Sequence, residues 1–334
     1  MQPSLSVALA SRNGAPFIEQ QLRSIFTQIV RPDQIVVSDD ASTDGTIDIV
    51  EAVFAEFSHL GVRTTILRNA QPLGVRANFE QAMLACTSDL IALCDQDDVW
   101  ERSRIERVTA RFRGWPDLLM LSSDARLIDA DGAVLDHTLF EALGASRKEV
   151  GKIEEGRGFE LLLKRNIVTG ATIVLRRSVL ARAVPFPSPW VHDEWLAIIA
   201  SVLGPIRVYP EPLVDYRQHG ANEIGVRKLS PIGKLKRLFE PRDERYDYLL
   251  ERATVLLARL EELGDKVWEE RLERAEQKVE HLAVRAAFPA SRSARIAPVL
   301  REARTGRYAQ YSRGKADILR DLLQPAGSPA APRG

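Results

Sequence analysis

The chain has 334 residues, enough for one large domain with an appendage or for two domains, with ample material for a core. Forty-six basic residues balance forty-six acidic ones, which excludes a global field favouring nucleic acid or an anionic membrane and leaves only local patches to consider. Its two cysteines, Cys86 and Cys94, lie in apolar sequence without metal-type spacing and read as buried thiols of a reducing compartment, with no disulfide framework.

The opening MQPSLSVALASRNG lacks a basic region, a long apolar core and a cleavage site, and the longest later apolar run, Leu196 to Ile206, is about half a membrane span. A cytoplasmic protein without a transmembrane helix is expected. Leu5 to Ala10 reads as a strand, Ser11-Arg12-Asn13-Gly14 as a turn, and Phe17, Ile18, Leu22, Ile25, Phe26 and Ile29 as one helical face. The unit repeats with Ile35-Val36-Val37, the polar stretch Ser38 to Thr46, and Ile49, Val50, Val53, Phe54 and Phe57 at helical spacing. Val62 to Leu67 gives a third strand, Asn69 to Gly74 a loop, and Phe79, Ala82, Met83 and Cys86 a third helix. Leu90 to Cys94 is then a fourth, buried strand. Alternation of this kind predicts a parallel, nucleotide-binding half-sheet with right-handed crossovers.

That fourth strand ends in three acids within four positions, Asp95, Asp97 and Asp98. Carboxylates crowded at a strand end repel one another, and the crevice beyond the carboxyl ends of a parallel sheet is where ligands bind. A divalent cation there would relieve the repulsion and hold a diphosphate. On an extended chain Asp95 and Asp97 face one way, Gln96 and Asp98 the other. The alternative is a polar turn in which Asp98 or Ser103 caps a helix starting near Glu101. The loops after the first, second and fourth strands converge on one edge. There Asp39, Asp40 and Ser42 offer acceptors for a base N–H or ribose hydroxyls, and Ser11 with nearby backbone N–H groups could meet a base carbonyl. A capped helix start with an Asx-turn is the alternative for Ser38 to Thr46. No Gly-rich phosphate loop follows the first strand, so the diphosphate would be held largely by metal.

Past Trp100 the pattern is mixed. Leu118 to Ser123 and Val134-Leu135 read as a hairpin around Asp129 to Gly132, Phe159 to Leu163 as a short helix, and Ala171 to Leu175 as a strand. Phe140 to Gly158 reads as a solvated connector, with a mobile loop over the site as the alternative. Trp190-Val191-His192-Asp193-Glu194-Trp195 opens a helix. Its acids suit a helix start, while the flanking Trp190 and Trp195 suggest a surface on which a sugar ring stacks beside a carboxylate base. After a strand near Ile206 to Tyr209, Arg217 and His219 share a face if extended, aimed at a diphosphate-metal site or simply on a surface strand.

From Gly225 the composition turns to charged helices. Arg227 to Phe239 interleaves basic and apolar residues and could lie on an anionic membrane or pack on the main domain. Leu249, Ala253, Leu256, Leu260 and Leu263, then Trp268, Leu272, Ala275, Val279, Leu282 and Ala286, predict a helical hairpin about Gly264. Ile296 to Leu323 reads as weaker helix, and Gln324 to Gly334 as a disordered tail.

Taken together, Ser4 to Gly14, Val36 to Thr46, Asp95 to Trp100, His192 to Trp195 and Tyr216 to Asn222 resemble glycosyltransferase family 2, especially its bacterial rhamnosyltransferase-like members. The resemblance covers roughly Ser4 to Gly225, and DQDDVW with YRQHGxN is characteristic of that subgroup. It implies an α/β fold of GT-A type, a Rossmann-like mixed sheet flanked by helices, here with a C-terminal helical extension. Residues 1–225 would form the transferase domain, with 1–100 binding the nucleotide sugar and 101–225 the acceptor; 226–323 would be helical. The resemblance further implies Mg²⁺ or Mn²⁺, and inversion of the anomeric centre by direct displacement. Carried onto this chain, it places Asp40 at the nucleoside, Asp95 and Asp97 at the sugar nucleotide and metal, and Asp193 as the base. His219 would complete the metal site and Arg217 would face the diphosphate. His192 stands where the wider family usually has Glu, and the Gln-x-x-Arg-Trp motif of processive members is absent.

The expected partners are a dTDP- or UDP-sugar donor and a glycan or lipid-linked acceptor contacted by Trp190, Glu194 and Trp195, with peripheral contact to the inner membrane through the C-terminal region and no nucleic acid. The rival readings are a nucleotidyltransferase, which would release pyrophosphate, and a non-enzymatic sugar-nucleotide-binding or scaffolding protein.

Overall fold

The computed structural model describes residues 2–219 and 245–325. The segment Arg227 to Phe239, the Gly220 to Asn222 end of the YRQHGxN motif and nearly all of the C-terminal tail lie outside the described residues. Two compact units are present. The first comprises residues up to Gly158, Ile167–Phe186 and Trp190–Arg227; the second comprises Phe159–Asn166, Pro187–Pro189 and the chain from Lys228 onward. Two short pieces from within the expected transferase segment thus group with the C-terminal helices.

The first unit is built on a nine-stranded mixed sheet. In chain order it contains β1 (Leu5–Ser11), α1 (Ile18–Phe26), β2 (Gln34–Asp39), α2 (Thr46–Glu56), β3 (Arg63–Arg68), α3 (Val75–Leu84), β4 (Leu90–Asp95), β5 (Val99–Trp100) and α4 (Arg104–Gly114). There follow β6 (Met120–Ile128), β7 (Val134–Thr138), α5 (Leu139–Leu143), α6 (Arg147–Glu154), then α7 (Gly158–Lys164), a short helix that belongs to the second unit from Phe159 on, and, back in the first unit, β8 (Ile173–Arg176), α8 (Arg177–Ala183), α9 (His192–Leu203) and β9 (Ile206–Arg217). The strand order is β3-β2-β1-β4-β8-β6-β9-β5, with β7 paired to β6. β1 runs parallel to both β2 and β4, so the chain winds outward to β3 on one side of β1 and returns as β4 on the other. This reversal makes the crevice between the ends of β1 and β4 a topological switch point.

Burial explains the alternation. β1, β2 and β4 present Leu5, Val7, Leu9, Ile35, Val37, Leu90 and Ala92 to the same core as Ile18, Leu22 and Ile25 of α1, and both strand faces are covered, as a parallel sheet requires. Cys86 and Cys94 are buried free thiols, as expected. In the second half β8 is antiparallel to β4 and to β6, whereas β9 is parallel to β6. The carboxyl ends of β1, β2, β4, β6 and β9 therefore lie at one edge, joined there by the amino end of β8.

The structure corrects several boundaries. The solvated connector expected at residues 140–158 contains helices: α5 and α6 each begin with a capping box, Thr138 with Glu141 and Ser146 with Glu149. These Thr/Ser-x-x-Glu signatures satisfy the first orphan N–H groups of a helix and were readable in the sequence. Glu101, rather than Asp98 or Ser103, supplies the acceptor before α4, taking the Ser103 N–H and hydroxyl. β9 is one continuous strand in which Pro210 and Pro212 accompany register shifts against β6.

The second unit contains α10 (Arg245–Leu263) and α11 (Glu269–Ala286), joined by a turn at Gly264, then α12 (Arg292–Arg304), α13 (Arg307–Tyr311) and α14 (Lys315–Leu323). Ala253, Leu256 and Leu260 of α10 and Ala275 and Leu282 of α11 are buried as the stripes predict, but Trp268 is 68% exposed and lies against Arg271 instead. Tyr246, Arg285, Tyr308 and Asp321 form a buried polar cluster in which Arg285 contacts Asp321 at 2.7 Å. No helix among the described residues is long and apolar enough to cross a membrane.

Candidate active site

The site grows from three adjacent strand ends. Ser11 of β1 is in register with Asp39 of β2, and Ala10 with Asp95 of β4. The loops that follow are stitched together by side chains. Gln96 accepts the Arg12 N–H at 2.8 Å and returns its amide N–H to the Arg12 carbonyl at 3.0 Å. Gly14 makes this possible, because a Cβ there would fall 2.2 Å from Gln96 Oε1. Asn13 N–H donates to Ser42 Oγ at 2.8 Å, and Gly14 N–H to Thr46 Oγ1 at 2.9 Å. Asn13 and Ala41 both adopt positive φ, 48° and 60°, a conformation that costs energy at a non-glycine residue.

The residues expected to meet the nucleoside serve this stitching. Ser11 Oγ donates to Asp39 Oδ1, and the same carboxylate takes the Ser42 N–H and hydroxyl. Asp40 accepts the N–H groups of Leu73 and Gly74 and the Asn69 amide, fixing the loop that leads into α3. Asp39 and Asp40 are almost wholly buried. Their acceptor capacity is directed into the protein, so the Asx-turn alternative describes Asp39, and Asp40 is a loop brace. Exposed surface at this edge belongs to neighbours such as Arg12, Asn13 and Gln71.

On the other side of β1 the acidic turn is pinned by β9. Val99 and Trp100 pair with Asp215 and Val214. Asp98 Oδ1 accepts the Arg217 N–H at 3.0 Å, and Asp98 Oδ2 is buried without a partner. Burial first, then the charges of Asp97 and Asp95, raise the Asp98 carboxyl well above its ordinary range. Asp97 points elsewhere: its Oδ2 lies 2.7 Å from His219 Nε2, with both side chains 13% exposed. The His219 ring stacks on Phe17 at 4.9 Å, and the Arg217 guanidinium covers the same ring at 5.0 Å. The two β9-side residues thus share a face, as alternation predicts, with Phe17 between them.

Arg217, expected to face a diphosphate, has a different task in this structure. It is 2% exposed, and its guanidinium donates to the carbonyls of Asp97, Asp129 and Ala130 and to Gln20 Oε1. A planar five-donor fork is suited to gathering several carbonyls, and here it ties the acidic turn to the β6–β7 hairpin.

Asp193 reaches the same edge through β8. The antiparallel pairing of β8 with β4 places residues 170–172, just before β8, beside the carboxyl end of β4. Gly170 N–H donates to Asp193 Oδ2 at 2.9 Å, and Glu194 N–H to Oδ1 at 2.7 Å, which fixes the carboxylate's orientation. A Cβ at Gly170 would meet His192 Nε2 at 3.1 Å and the Asp193 carboxylate at 3.6 Å. Tyr216 connects the two halves: burial raises its phenol pKa, and Asp95, Asp98, Asp97 and Asp193 all add to the shift. The acidic turn and Asp193 thus act on the same buried hydroxyl.

His192 is buried, stacked on Phe79 at 4.1 Å, and neither ring nitrogen has a hydrogen-bond partner. Burial pushes its pKa down to about 3. Trp195 does not form a stacking surface for sugar. It is fully buried and donates its indole N–H to Ala183 O at 2.8 Å, because position 195 faces inward on α9. Trp190 packs against it with ring centroids 5.5 Å apart and is itself buried, while Glu194 is half-buried. Phe17, Gln96, Gly170 and Tyr216 were given no site role from sequence. Only Gly170 and Gln96 had a local signal, the first preceding a strand and the second lying inside the acidic turn.

Among the described residues no group of three or more His, Cys, Asp or Glu side chains is arranged to hold a metal ion. The protein donors at the acidic turn are one carboxylate and one imidazole, Asp97 and His219, next to the partnerless Asp98 oxygen. That set fits a hard divalent ion drawing most of its coordination from diphosphate and water, with the imidazole favouring Mn²⁺. The present Asp97–His219 contact would have to give way to such an ion.

Comparison with known proteins bears on the family and the fold. The model of "Glycosyl transferase family 2" matches residues 6–183, just over half of the chain and ending before Asp193. An uncharacterised Mycobacterium tuberculosis protein is 27% identical over 220 residues, and the match spans 64% of this chain but only 59% of that protein. The dTDP-rhamnosyl transferase RfbG of Shigella flexneri is 24% identical over 255 residues, covering 71% of this chain and 80% of the relative. Among solved structures, Staphylococcus aureus TarS 1–349 in complex with UDP-GlcNAc superposes with a TM-score of 0.57 at 15% identity, covering 96% of this chain and 90% of that one, which shows the GT-A-type fold. By its strand order, its acidic turn at the switch point and the extent of the family match, the chain belongs to glycosyltransferase family 2.

Proposed function

We propose that this glycosyltransferase is an inverting, metal-dependent enzyme that moves a sugar, rhamnose being the first candidate, from a dTDP- or UDP-sugar to a glycan or lipid-linked acceptor in cell-surface polysaccharide synthesis. The observation that supports the reading is that the Asp95–Asp98 turn, the Asp97–His219 pair and the oriented Asp193 carboxylate all stand at the sheet edge where the parallel strands end. The dTDP-rhamnosyl name of one relative supports the donor class.

Asp193 accepts the acceptor hydroxyl proton as its oxygen bonds to the anomeric carbon, while the bond from that carbon to the diphosphate oxygen breaks. The N–H groups of Gly170 and Glu194 keep the carboxylate aimed during that transfer. Asp97 and His219 would hold Mg²⁺ or Mn²⁺, which supplies charge neutralisation on the departing diphosphate. Asp95 adds a second carboxylate at the sugar-nucleotide side. Ser11, Asp39, Asp40 and Ser42 act by bracing the loops around the nucleoside, and Arg217 by holding the Asp97 turn. Trp190 and Glu194 border the acceptor side. A cytoplasmic location, with peripheral membrane contact through the C-terminal region, fits a lipid-linked acceptor.

The deciding experiment incubates purified protein with a panel of sugar nucleotides and Mn²⁺, with melting temperature and released product followed together. A donor at about a hundred times its dissociation constant adds roughly 2.7 kcal/mol of stability. Nucleoside diphosphate among the products supports the transferase reading; pyrophosphate from a nucleoside triphosphate would replace it with nucleotidyl transfer. Binding without turnover in the presence of acceptors would leave a binding protein.

A further inference from the structure

One stretch of the second unit, its last three helices, exposes charge of a single sign. Between Pro289 and Pro325 the sequence has three acidic residues, Glu302, Asp317 and Asp321. All three are buried and satisfied internally: Glu302 by His281 and Arg307, Asp321 by Arg285 and Tyr308, and Asp317 by Arg285 and the Arg313 N–H. The basic residues Arg292, Arg301, Arg304, Arg313 and Lys315 are instead exposed, and none forms an ion pair among the described residues. This stretch turns only positive charge outward.

Large apolar side chains lie among those charges. On α12, Arg292, Ile296, Leu300 and Arg304 follow one another at intervals of four and so form a single stripe, with Ser293, Ala297 and Arg301 beside it. Every one of these residues is exposed, Ile296 by 51% and Leu300 by 46%. The opposite side of the helix carries Arg295, Val299 and Glu302 and is buried, so the helix is anchored on one face and open on the other. α14 repeats the arrangement with exposed Lys315 and Leu319 four residues apart.

We infer that the outward face of α12 is a docking surface for an anionic lipid bilayer, with Ile296 and Leu300 entering the headgroup boundary and Arg292, Arg301 and Arg304 meeting lipid phosphates. Charge complementarity selects a negative partner, and the apolar pair selects a bilayer over nucleic acid, whose phosphates give Ile and Leu nothing to contact. This surface is separate in sequence from Arg227 to Phe239 and does not depend on the identity of donor or acceptor.

The test is co-sedimentation of the full chain with phosphatidylglycerol and phosphatidylcholine vesicles at low salt, beside binding to duplex DNA. The parent should be retained by phosphatidylglycerol vesicles only, and less so as salt screens the charges. Replacing Arg292, Arg301 and Arg304 together by Gln should weaken partitioning roughly a hundredfold, at about fivefold per arginine. Ile296→Ser with Leu300→Ser should weaken it roughly tenfold without changing the salt dependence. Thermal melts check that both variants are folded, and donor turnover in solution reports separately on the proposed reaction. The inference is overturned if the parent is not retained, if both α12 variants bind as the parent does, or if only Lys234→Gln with Lys236→Gln releases the protein. Duplex DNA binding that the arginine variant abolishes, without retention on vesicles, would reassign the face to nucleic acid.

Discussion

Asp97 Oδ2 and His219 Nε2 meet at 2.7 Å although 122 residues separate them. The pairing follows from the sheet: β5 and β9 are antiparallel neighbours, so the turn after β4 and the end of β9 are brought to one place. An ion entering there must exchange this contact for two coordinate bonds. Asp97→Asn should therefore weaken nucleoside diphosphate binding sharply in Mn²⁺ and little in chelator. His219→Ala should raise the Mn²⁺ concentration needed for half-maximal activity, since Mn²⁺ accepts imidazole more readily than Mg²⁺ does. An unchanged metal requirement with a lower maximal rate would place His219 directly on the leaving phosphate.

For Asp193 the informative neighbour is Gly170. Asp193→Asn should cost about 10² to 10⁴ in turnover, the usual contribution of a positioned base, with donor affinity nearly unchanged. Gly170→Ala keeps the carboxylate but introduces a Cβ 3.1 Å from His192 Nε2 and close to the Asp193 side chain. Something there must shift by a few tenths of an ångström. Turnover should fall while the donor Kd stays near the parent's, and both are read in one steady-state series. Near-parental turnover in Asp193→Asn would pass the base role to Glu194.

Arg217 separates a scaffold from a ligand contact. Arg217→Lys keeps the charge but cannot reach Asp97 O, Asp129 O, Ala130 O and Gln20 together, so buried carbonyls lose their donors. The expected loss of stability is about 2 to 4 kcal/mol, read from denaturant unfolding. If Arg217 instead bound diphosphate directly, the donor KM would rise with little change in stability.

Much of this was legible in the chain. Short apolar strands punctuated by Ser11-Arg12-Asn13-Gly14 and by the Asp95 turn give the parallel half-sheet, because local pattern and topology rules agree there. The hairpin after β6 and the start of α9 at His192 were legible for the same reason. What sequence could not show is which way a polar side chain spends its hydrogen bonds. Asp39, Asp40 and Arg217 look like ligand contacts in one dimension, yet their partners Ser11, Gly74 and Asp129 come from other strands and loops, fixed only when the sheet closes. Trp195 was misread because a residue at the first turn of a helix can face either way, and the buried side of α9 decides it. Phe17 was read only as part of a helical face and Tyr216 only as the start of the YRQHGxN motif, since an aromatic residue near a strand or helix end is ordinarily core.

The last prediction concerns acid. Burial pushes His192 down to about 3, and burial outweighs the Glu302 hydrogen bond to leave His281 at about 4, against the ordinary 6.5. Below pH 6.5 the unfolded chain takes up protons that these native imidazoles refuse, so stability should fall as pH drops from about 6.5 toward 4, by about 1.4 kcal/mol per pH unit for each histidine. Above pH 6.5 neither histidine contributes a slope. His192→Phe preserves a ring against Phe79 and removes two partnerless buried nitrogens, and His281→Gln retains a donor for Glu302. Each should flatten the acid limb of a stability curve measured by urea unfolding between pH 4.5 and 7, on the order of one proton's slope apiece. The first variant should act on the unfolding of the sheet unit and the second on that of the helical unit, which intrinsic fluorescence and far-ultraviolet dichroism can follow separately. A parental slope in His192→Phe would mean that the imidazole next to Asp193 takes up its proton near the ordinary 6.5 in the native protein as well, and Asp193 would then have a charged neighbour below that pH.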